Sequence, residues 1–200
     1  AFARKGQYQS VPVDVHSMID EVAALLERSI DKRIRILRSF EAEHPLVTGD
    51  PTLLQNALLN LGINARDAMT EGGVLTFETS ELSIDRVACQ ELTLELDPGR
   101  FVCVRVSDTG AGMDPDVVQQ IFDPFFTTKE KGTGLGLAAV YGTVKTHKGD
   151  IRVHSRRGEG TTFELFLPSS PEPEAFEPRL PETSRTQKPS HILVVDDEQT

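Results

Sequence analysis

Two glycine-rich stretches decide the fold of this chain: Asp108-Thr109-Gly110-Ala111-Gly112-Met113 and Gly132-Thr133-Gly134-Leu135-Gly136-Leu137. Glycines mark turns in every kind of fold, so either stretch alone would say little. Together they indicate backbone held open for a nucleotide, because the first stretch follows a predicted strand and the second opens a predicted helix. We call them the first and second glycine stretches.

The apolar periodicity around the glycine stretches predicts a mixture of helices and strands. Asp14 and Asp50 are placed to cap two helices, the second with Pro51 at its first helical position. The predicted helices cover residues 14–31, 51–68 and 135–147, and the predicted strands cover residues 34–40, 74–84, 100–107, 151–155 and 161–167. This order predicts an α/β fold, a two-layer α/β sandwich whose mixed sheet carries helices packed on one face.

Composition excludes several classes of protein. The formal net charge of −10 argues against non-specific nucleic-acid binding, which needs clustered basic residues. No apolar run is long enough to span a bilayer and no signal-peptide pattern is present, so we expect no membrane contact by this stretch and a cytoplasmic location. Cys89 and Cys103 form neither a disulfide framework nor a metal-ligand cluster, which favours a reducing cytosol.

The composition changes near Ser169. Residues 169–190 combine five prolines with Glu, Ser and Thr, which predicts an extended linker. The stretch from His191 to Glu198 then reads as an apolar strand ending in acidic residues, so residues 191–200 are predicted to begin a second fold. The alternative interpretation of these last residues is an arbitrary apolar tail.

Asn60 and Asn64 lie four residues apart on the second predicted helix and therefore share a face. Asparagine is a poor residue for a helix interior because its amide competes for backbone hydrogen bonds, so two on one stripe need a reason. One interpretation is that the side-chain oxygen of Asn64 binds Mg²⁺, with Asn60 beside it near phosphates. A polar rim on an amphipathic helix accounts for the pair equally well.

Asp108 ends an apolar strand, where an α/β sheet presents ligand-binding residues. Its carboxylate can accept a hydrogen bond from the exocyclic amine of adenine, whereas guanine has a carbonyl at that position. Gly110 and Gly112 allow the backbone to approach a flat base closely. The alternative is a strand-end turn in which the aspartate only caps. The second glycine stretch favours the ligand, because the value of a motif depends on its context.

The second glycine stretch suits phosphate oxygens, since it precedes a helix whose first N–H groups are unpaired. It is not a P-loop, because no Lys-Ser/Thr follows the last glycine, and no strand immediately precedes it as a dinucleotide fold requires. Between the stretches, residues 114–131 form a long connection of the kind that is usually functional. Lys129 and Lys131 lie at its end, where they can reach phosphates.

As a set, these motifs resemble the catalytic, ATP-binding domain of sensor histidine kinases, within the gyrase/Hsp90/histidine kinase/MutL superfamily. Residues 60–65 resemble the N box, the glycine stretches the G1 and G2 boxes, and residues 122–126 the F box. The stretch from Gly158 to Phe163 resembles the last glycine motif. The resemblance covers residues 11–168 and implies the Bergerat-type ATP-binding fold.

The resemblance also implies ATP and Mg²⁺ as cofactors and assigns residues to them. Asp108 binds adenine, assisted by Thr161 through water, with Gly110, Gly112 and Met113 around the base. Asn64 is the Mg²⁺ ligand and Asn60, the residue expected to take part in catalysis, lies near the phosphates. Residues 114–131 become the ATP lid. The backbone of Gly132, Thr133, Gly134, Leu135, Gly136 and Leu137 lines the phosphates.

The sequence departs from the family pattern at two informative positions. Many members carry a lysine three residues after the second asparagine; Asp67 stands there, so we expect Lys129 to replace that phosphate contact. ATP-hydrolysing relatives carry a glutamate as general base where Asn60 stands, and an amide cannot take a proton, which disfavours hydrolysis. The alternatives kept open are a regulatory nucleotide-binding module without kinase activity and an ATPase switch.

The phosphate acceptor is missing from this chain. Histidine kinases modify a histidine in a specific acidic and Arg/Lys-Pro context, which none of the five histidines has: His16, His44, His147, His154 and His191. The resemblance therefore implies an upstream dimerisation and phosphoacceptor domain, with residues 1–10 as its end. Residues 191–200 resemble the first strand of a receiver domain, in which Asp196 and Asp197 hold Mg²⁺. A hybrid histidine kinase, with a receiver domain or response regulator as partner, is the expected parent protein.

Overall fold

A computed structural model describes residues 9–87, 94–129 and 132–170. Residues 1–8 of the expected end of an upstream domain, most of the linker and the start of a second fold lie outside these residues, as do Cys89 and Lys131. The helices are α1 Val15–Ser29, α2 Pro51–Ala68, α3 Pro115–Val118 and α4 Gly136–Thr146. The strands are β1 Val11–Asp14, β2 Ile34–Phe40, β3 Leu46–Gly49, β4 Gly73–Ile84, β5 Gly99–Asp108, β6 Asp150–Arg156 and β7 Gly160–Pro168.

Five of the strands form one mixed sheet in the order β2-β4-β5-β7-β6. β2 and β4 pair in parallel, whereas the other three pairs are antiparallel. The alternation predicted for β4 is confirmed, since Leu75 and Phe77 are completely buried while their neighbours are partly exposed. The predicted two-layer α/β sandwich is confirmed as well, because the main core lies between this sheet and the helices on one face.

The long helices begin where the capping residues predict. Asp14 accepts a hydrogen bond from the Ser17 amide, and the Asp50 carboxylate accepts from the amides of Thr52 and Leu53. The side chains that α1, α2 and α4 bury against the sheet include Ile19, Val22, Leu26, Leu54, Leu58, Leu61, Val140 and Val144. The apolar stripe of each helix thus fixes which of its faces remains available for a ligand. No helix in the described part of the chain is both long and apolar enough to cross a bilayer.

Sequence reasoning missed a second, two-stranded sheet. β1 and β3 pair antiparallel, with Val11 opposite Gly49 and Asp14 opposite Leu46. A strand of four residues shows only two side chains on each face, too few for its alternation to stand out in the sequence. This small sheet delivers the chain to the start of α2, where the Gln9 amide donates to the Asp50 carboxylate at 3.1 Å.

Candidate nucleotide-binding site

Asp108 stands at the end of β5 beside an open cleft of about 620 Å³. Thr161 lies directly opposite it on β7, and both residues are buried. Ser155 on β6 continues this wall, while Pro115 and Val118 of α3 border the cleft as well. The cleft is therefore lined by the sheet edge that ends in Asp108 and by the first part of the predicted lid.

Burial dominates the electrostatics of Asp108. It raises the pKa of the carboxyl group above its ordinary range, while backbone hydrogen bonds from Gly110 and Thr161 act in the opposite direction. The Gly110 amide donates to Asp108 Oδ1 at 2.8 Å. A carboxylate accepts about four hydrogen bonds in all, so Asp108 keeps acceptor capacity for a ligand in a poorly hydrated place. A ligand amine is the matching donor.

The first glycine stretch is held between α2 and the β6–β7 hairpin. The Ala111 amide donates to the Ala68 carbonyl at 3.0 Å, and the Ala111 carbonyl accepts from the Gly158 amide at 2.7 Å. Gly112 has φ of +64°, and a Cβ there would lie 1.9 Å from the Arg156 carbonyl oxygen. The turn beside Asp108 thus requires glycine for both its backbone conformation and its close packing.

One face of α2 joins the two glycine stretches. Asn60, Asn64 and Ala68 follow one another at helical spacing, so the face spans about 12 Å at 1.5 Å per residue. Ala68 contacts the first stretch at Gly110, whose Cβ position lies 2.7 Å from the Ala68 carbonyl oxygen. At the other end, the Asn60 amide oxygen lies 3.9 Å from the Cβ position of Gly136 in the second stretch. Both predicted asparagines therefore lie between the stretches.

Lys129 reaches the same face of α2 from the predicted lid. Its Nζ donates to Asn64 Oδ1 at 2.9 Å and to Asp67 Oδ2 at 2.8 Å. Desolvation raises the pKa of Asp67, but hydrogen bonds from Lys129 and Arg66 outweigh it, so the pKa is lowered overall. Two side-chain oxygens on α2 thus face a cation, and one of them belongs to the predicted Mg²⁺ ligand.

The second glycine stretch is anchored to the predicted F box. The Phe125 amide donates to the Gly134 carbonyl at 2.9 Å, and a Cβ on Gly134 would lie 2.3 Å from the Phe125 carbonyl carbon. α4 begins at Gly136, and in the described part of the chain no side chain caps it. Its first N–H groups are consequently suited to an anion. Leu137 packs against the core, so it can line phosphates only through its backbone.

The structure gathers the predicted residues into two groups. Asp108 and Thr161 line the cleft, and the turn with Gly110, Gly112 and Met113 lies beside it, where Gly110 donates to Asp108 and Met113 to Ser155. Asn60, Asn64, Lys129 and Gly136 meet at the other end of the α2 face. Gly132 joins the second group through its amide, which donates to the Lys129 carbonyl, and Thr133 and Leu135 are exposed.

Two residues at the site were not among the predicted binding residues. Asp67 was noted only as a departure from a family pattern, yet it holds Lys129. Ser155 was treated as part of a strand, yet its hydroxyl contacts both Met113 and Thr161. The available signal for Ser155 was its position two residues after Val153, which places a polar side chain on the inward face of a predicted strand.

Comparison with known proteins shows the family to which the chain belongs. Residues 49–171 match the family model described as histidine kinase-, DNA gyrase B-, and HSP90-like ATPase. The chain belongs to this ATPase family. Among curated members, the sensor kinase CckA of Brucella abortus (strain 2308) is 38% identical over 170 residues, which are 84% of this chain and 18% of that protein. The chain therefore spans less than a fifth of that relative.

Solved members of the ATPase family share the fold. Full-length ShkA, crystallised in complex with AMPPNP, is 28% identical with a TM-score of 0.65 and aligns with 82% of this chain and 33% of its own. The histidine kinase ThkA, crystallised in complex with the response regulator protein TrrA, is 26% identical with a TM-score of 0.63, covering 83% of this chain and 43% of its own. The Bergerat-type fold expected from the motifs is confirmed.

Proposed function

We propose that this domain binds ATP with Mg²⁺ and delivers the γ-phosphoryl group to a histidine on an upstream dimerisation domain. The observation that carries the proposal is the face of α2 with Asn60 and Asn64, which runs from the turn after Asp108 to the start of α4. Asp108, the residue proposed to bind the base, lies near one end of this face, and the N-terminus of α4 lies at the other. This arrangement suits an extended nucleotide with its phosphates toward α4.

The residues present fit a magnesium ion. Mg²⁺ prefers oxygen ligands and is commonly held by one or two protein oxygens together with substrate phosphates. Asn64 Oδ1 accepts a hydrogen bond from the Lys129 ammonium, which supports the proposal that this oxygen takes a cationic partner. Asn64 would hold the ion, and Asp67 would keep Lys129 close by. The ion would neutralise charge on the transferred group.

Transfer is favoured over hydrolysis by the chemistry of Asn60. Phosphoryl transfer needs little covalent chemistry from the protein, which acts through positioning and charge neutralisation. Hydrolysis in addition needs a group that activates water, and the amide of Asn60 cannot accept a proton. The acceptor would be a histidine outside this chain. We place the domain in the cytoplasm, with a receiver domain or response regulator as the next partner, as the ThkA–TrrA complex suggests by analogy.

Phosphotransfer in trans tests this function. The chain is mixed with the dimerisation domain of its parent protein and radiolabelled ATP, and acid-labile phosphohistidine is measured. We expect Asn64→Ala to abolish the label, because the magnesium oxygen is lost, and Asn64→Asp to retain part of it, because a carboxylate is also a magnesium ligand. Nucleotide binding without any label would support the regulatory module instead. Steady phosphate release that Asn60→Ala abolishes would support the ATPase switch.

Lys129→Ala tests the proposed phosphate contact. Both partners of the Lys129–Asp67 pair are partly exposed, so its loss should leave the free energy of unfolding within about 1 kcal/mol. Affinity for ATP should fall about ten- to a hundredfold, since a hydrogen bond to a charged group contributes about 1.5–3 kcal/mol. Affinity for adenosine should be unchanged, because adenosine has no phosphate. Isothermal titration with both ligands measures the difference.

Lys32→Ala is the matched control for Lys129→Ala, since it changes the net charge equally at an exposed position in the turn before β2. It should leave both affinities unaltered. An equal loss of ATP affinity in the two variants would assign the effect to net charge rather than to a contact of Lys129.

A further inference from the structure

The hydroxyl of Ser155 meets three polar groups in the wall of the cleft. The Met113 amide donates to Ser155 Oγ at 2.9 Å, and Ser155 Oγ lies 3.0 Å from the Gly160 carbonyl oxygen. Its third neighbour is Thr161 Oγ1 at 2.9 Å. A serine hydroxyl can donate once and accept twice, so these three contacts use its entire capacity. Ser155 therefore connects the first glycine stretch with the β6–β7 hairpin.

Because all hydrogen-bonding capacity of the Ser155 hydroxyl is used, the direction of each of its hydrogen bonds is fixed. A carbonyl oxygen can only accept, so the single hydrogen of Ser155 goes to Gly160. The contact with Thr161 then requires the Thr161 hydroxyl to donate to Ser155. With its hydrogen used in this way, Thr161 presents only lone pairs to any further partner. Thr161 thus becomes an acceptor toward the cleft that it lines.

Thr161 lies directly opposite Asp108 in the β5–β7 ladder. Two hydrogen-bond acceptors consequently stand side by side, a carboxylate and an oriented hydroxyl. A group with two hydrogens matches them, either an exocyclic amine or a water molecule that the amine itself holds. A carbonyl at the same place on the base would face acceptors only, which leaves buried polar groups unpaired and costs affinity.

We propose that Ser155 is a positioning residue for base selection: it orients the Thr161 hydroxyl as an acceptor, and the cleft therefore prefers a 6-aminopurine to a 6-oxopurine. The inference rests on the proposed binding of ATP and adds a residue that selects the base. A purely structural Ser155 would tie the hairpin to the first glycine stretch and affect every nucleotide alike. The ratio of ATP to GTP affinity separates these two roles.

Ser155→Ala removes the partner that orients Thr161. The freed Thr161 hydroxyl can then donate to a 6-oxo group, so affinity for ATP should fall and the preference for ATP over GTP should narrow about tenfold, the effect of about one hydrogen bond. Ser155→Thr restores a hydroxyl and should restore the preference. Ser155→Cys keeps nearly the same volume, but its thiol accepts from Thr161 and donates to Gly160 more weakly than a hydroxyl does. It should therefore narrow the preference less than alanine, and it serves if the alanine variant does not fold.

Ser107→Ala is the matched control. Ser107 Oγ also pairs with a threonine on β7, Thr162 Oγ1 at 3.0 Å, one residue from the Asp108–Thr161 pair. Its loss should leave the ATP-to-GTP ratio unaltered. An unaltered ratio in a folded Ser155→Ala or Ser155→Cys variant would overturn the proposal, even if its melting temperature falls. Failure of the wild-type chain to bind ATP would overturn the proposed function and this inference together.

Discussion

Asp108→Asn is expected to weaken ATP binding roughly five- to a hundredfold, from a contact of about 1–3 kcal/mol. The amide oxygen of asparagine can still accept from the Gly110 amide, which lies 2.8 Å from Asp108 Oδ1. The remaining NH₂ group then faces the adenine amine, so a donor opposes a donor. Titration with labelled ATP, with and without Mg²⁺, measures the loss. Unchanged affinity for ATP in the variant would contradict the proposal that Asp108 binds the adenine base.

Asp150→Asn provides the control for removing a buried carboxylate. Asp150 is as buried as Asp108, pairs with Lys145 at 2.7 Å and lies opposite Phe166, five residues further along β7 than Thr161. Breaking a buried pair destabilises the fold, so this variant should lower the melting temperature. Its affinity for ATP should stay close to that of the wild type at temperatures where it is folded. Only the Asp108 variant should lose affinity without a matching loss of stability.

The pH dependence of stability gives a second readout of Asp108→Asn. Burial raises the pKa of Asp108 in the folded chain above its value in the unfolded chain. Between these two values the folded state binds the proton that the unfolded state releases, so the free energy of unfolding falls as pH rises through that window. The variant lacks this contribution. The difference between the wild-type and variant free energies of unfolding should therefore change with pH between the two pKa values of Asp108. At higher pH it should be constant.

The fold could be predicted from the sequence because its elements carry strong local signals. Asp14 and Asp50 cap their helices as expected, and the alternation of β4 shows directly in its buried Leu75 and Phe77. These signals act over a few residues and need no tertiary contact to be recognised. The β1–β3 pair gives no such signal, because strands of four residues are too short to show an alternation of apolar and polar side chains. Each of these strands is stabilised by pairing with the other.

The candidate site was predictable in part, for a related reason. Glycine and asparagine are unusual in their positions, so Gly112 and Asn64 stand out from the sequence alone. Asp67 is an ordinary residue for an exposed helix face, and Ser155 gives only the weak signal of a polar residue on the inward face of a strand. Their importance comes from partners that are distant in sequence, Met113 for Ser155 and Lys129 for Asp67. Only the packing of β6 against the first glycine stretch, and of the lid against α2, brings these partners together.

Gly112→Ala is expected to cause the largest loss of stability of any glycine substitution considered, on the order of 3 kcal/mol or more. Two costs combine at this position. The residue has φ of +64°, which an L side chain rarely adopts, and its Cβ would lie 1.9 Å from the Arg156 carbonyl oxygen. Since that oxygen belongs to the backbone, the turn must move away from the hairpin. The Met113–Ser155 bond beside it should then break, and ATP affinity should fall with stability.

Substitutions at two other glycines separate the cost of the left-handed backbone conformation from the cost of the close Cβ contact. Gly158 has φ of +80° with open space around its Cβ position, so Gly158→Ala should cost only about 1–2 kcal/mol for the left-handed backbone. Gly142 lies inside α4, also with open space, and Gly142→Ala should stabilise the helix by about 0.5–1 kcal/mol. Urea unfolding of the three variants measures the series. If Gly112→Ala costs no more than Gly158→Ala, the close contact with the Arg156 carbonyl does not hold the turn in place. The glycine would then be required only for its backbone conformation, and the position of the turn would depend on the Ala111–Ala68 and Met113–Ser155 hydrogen bonds instead.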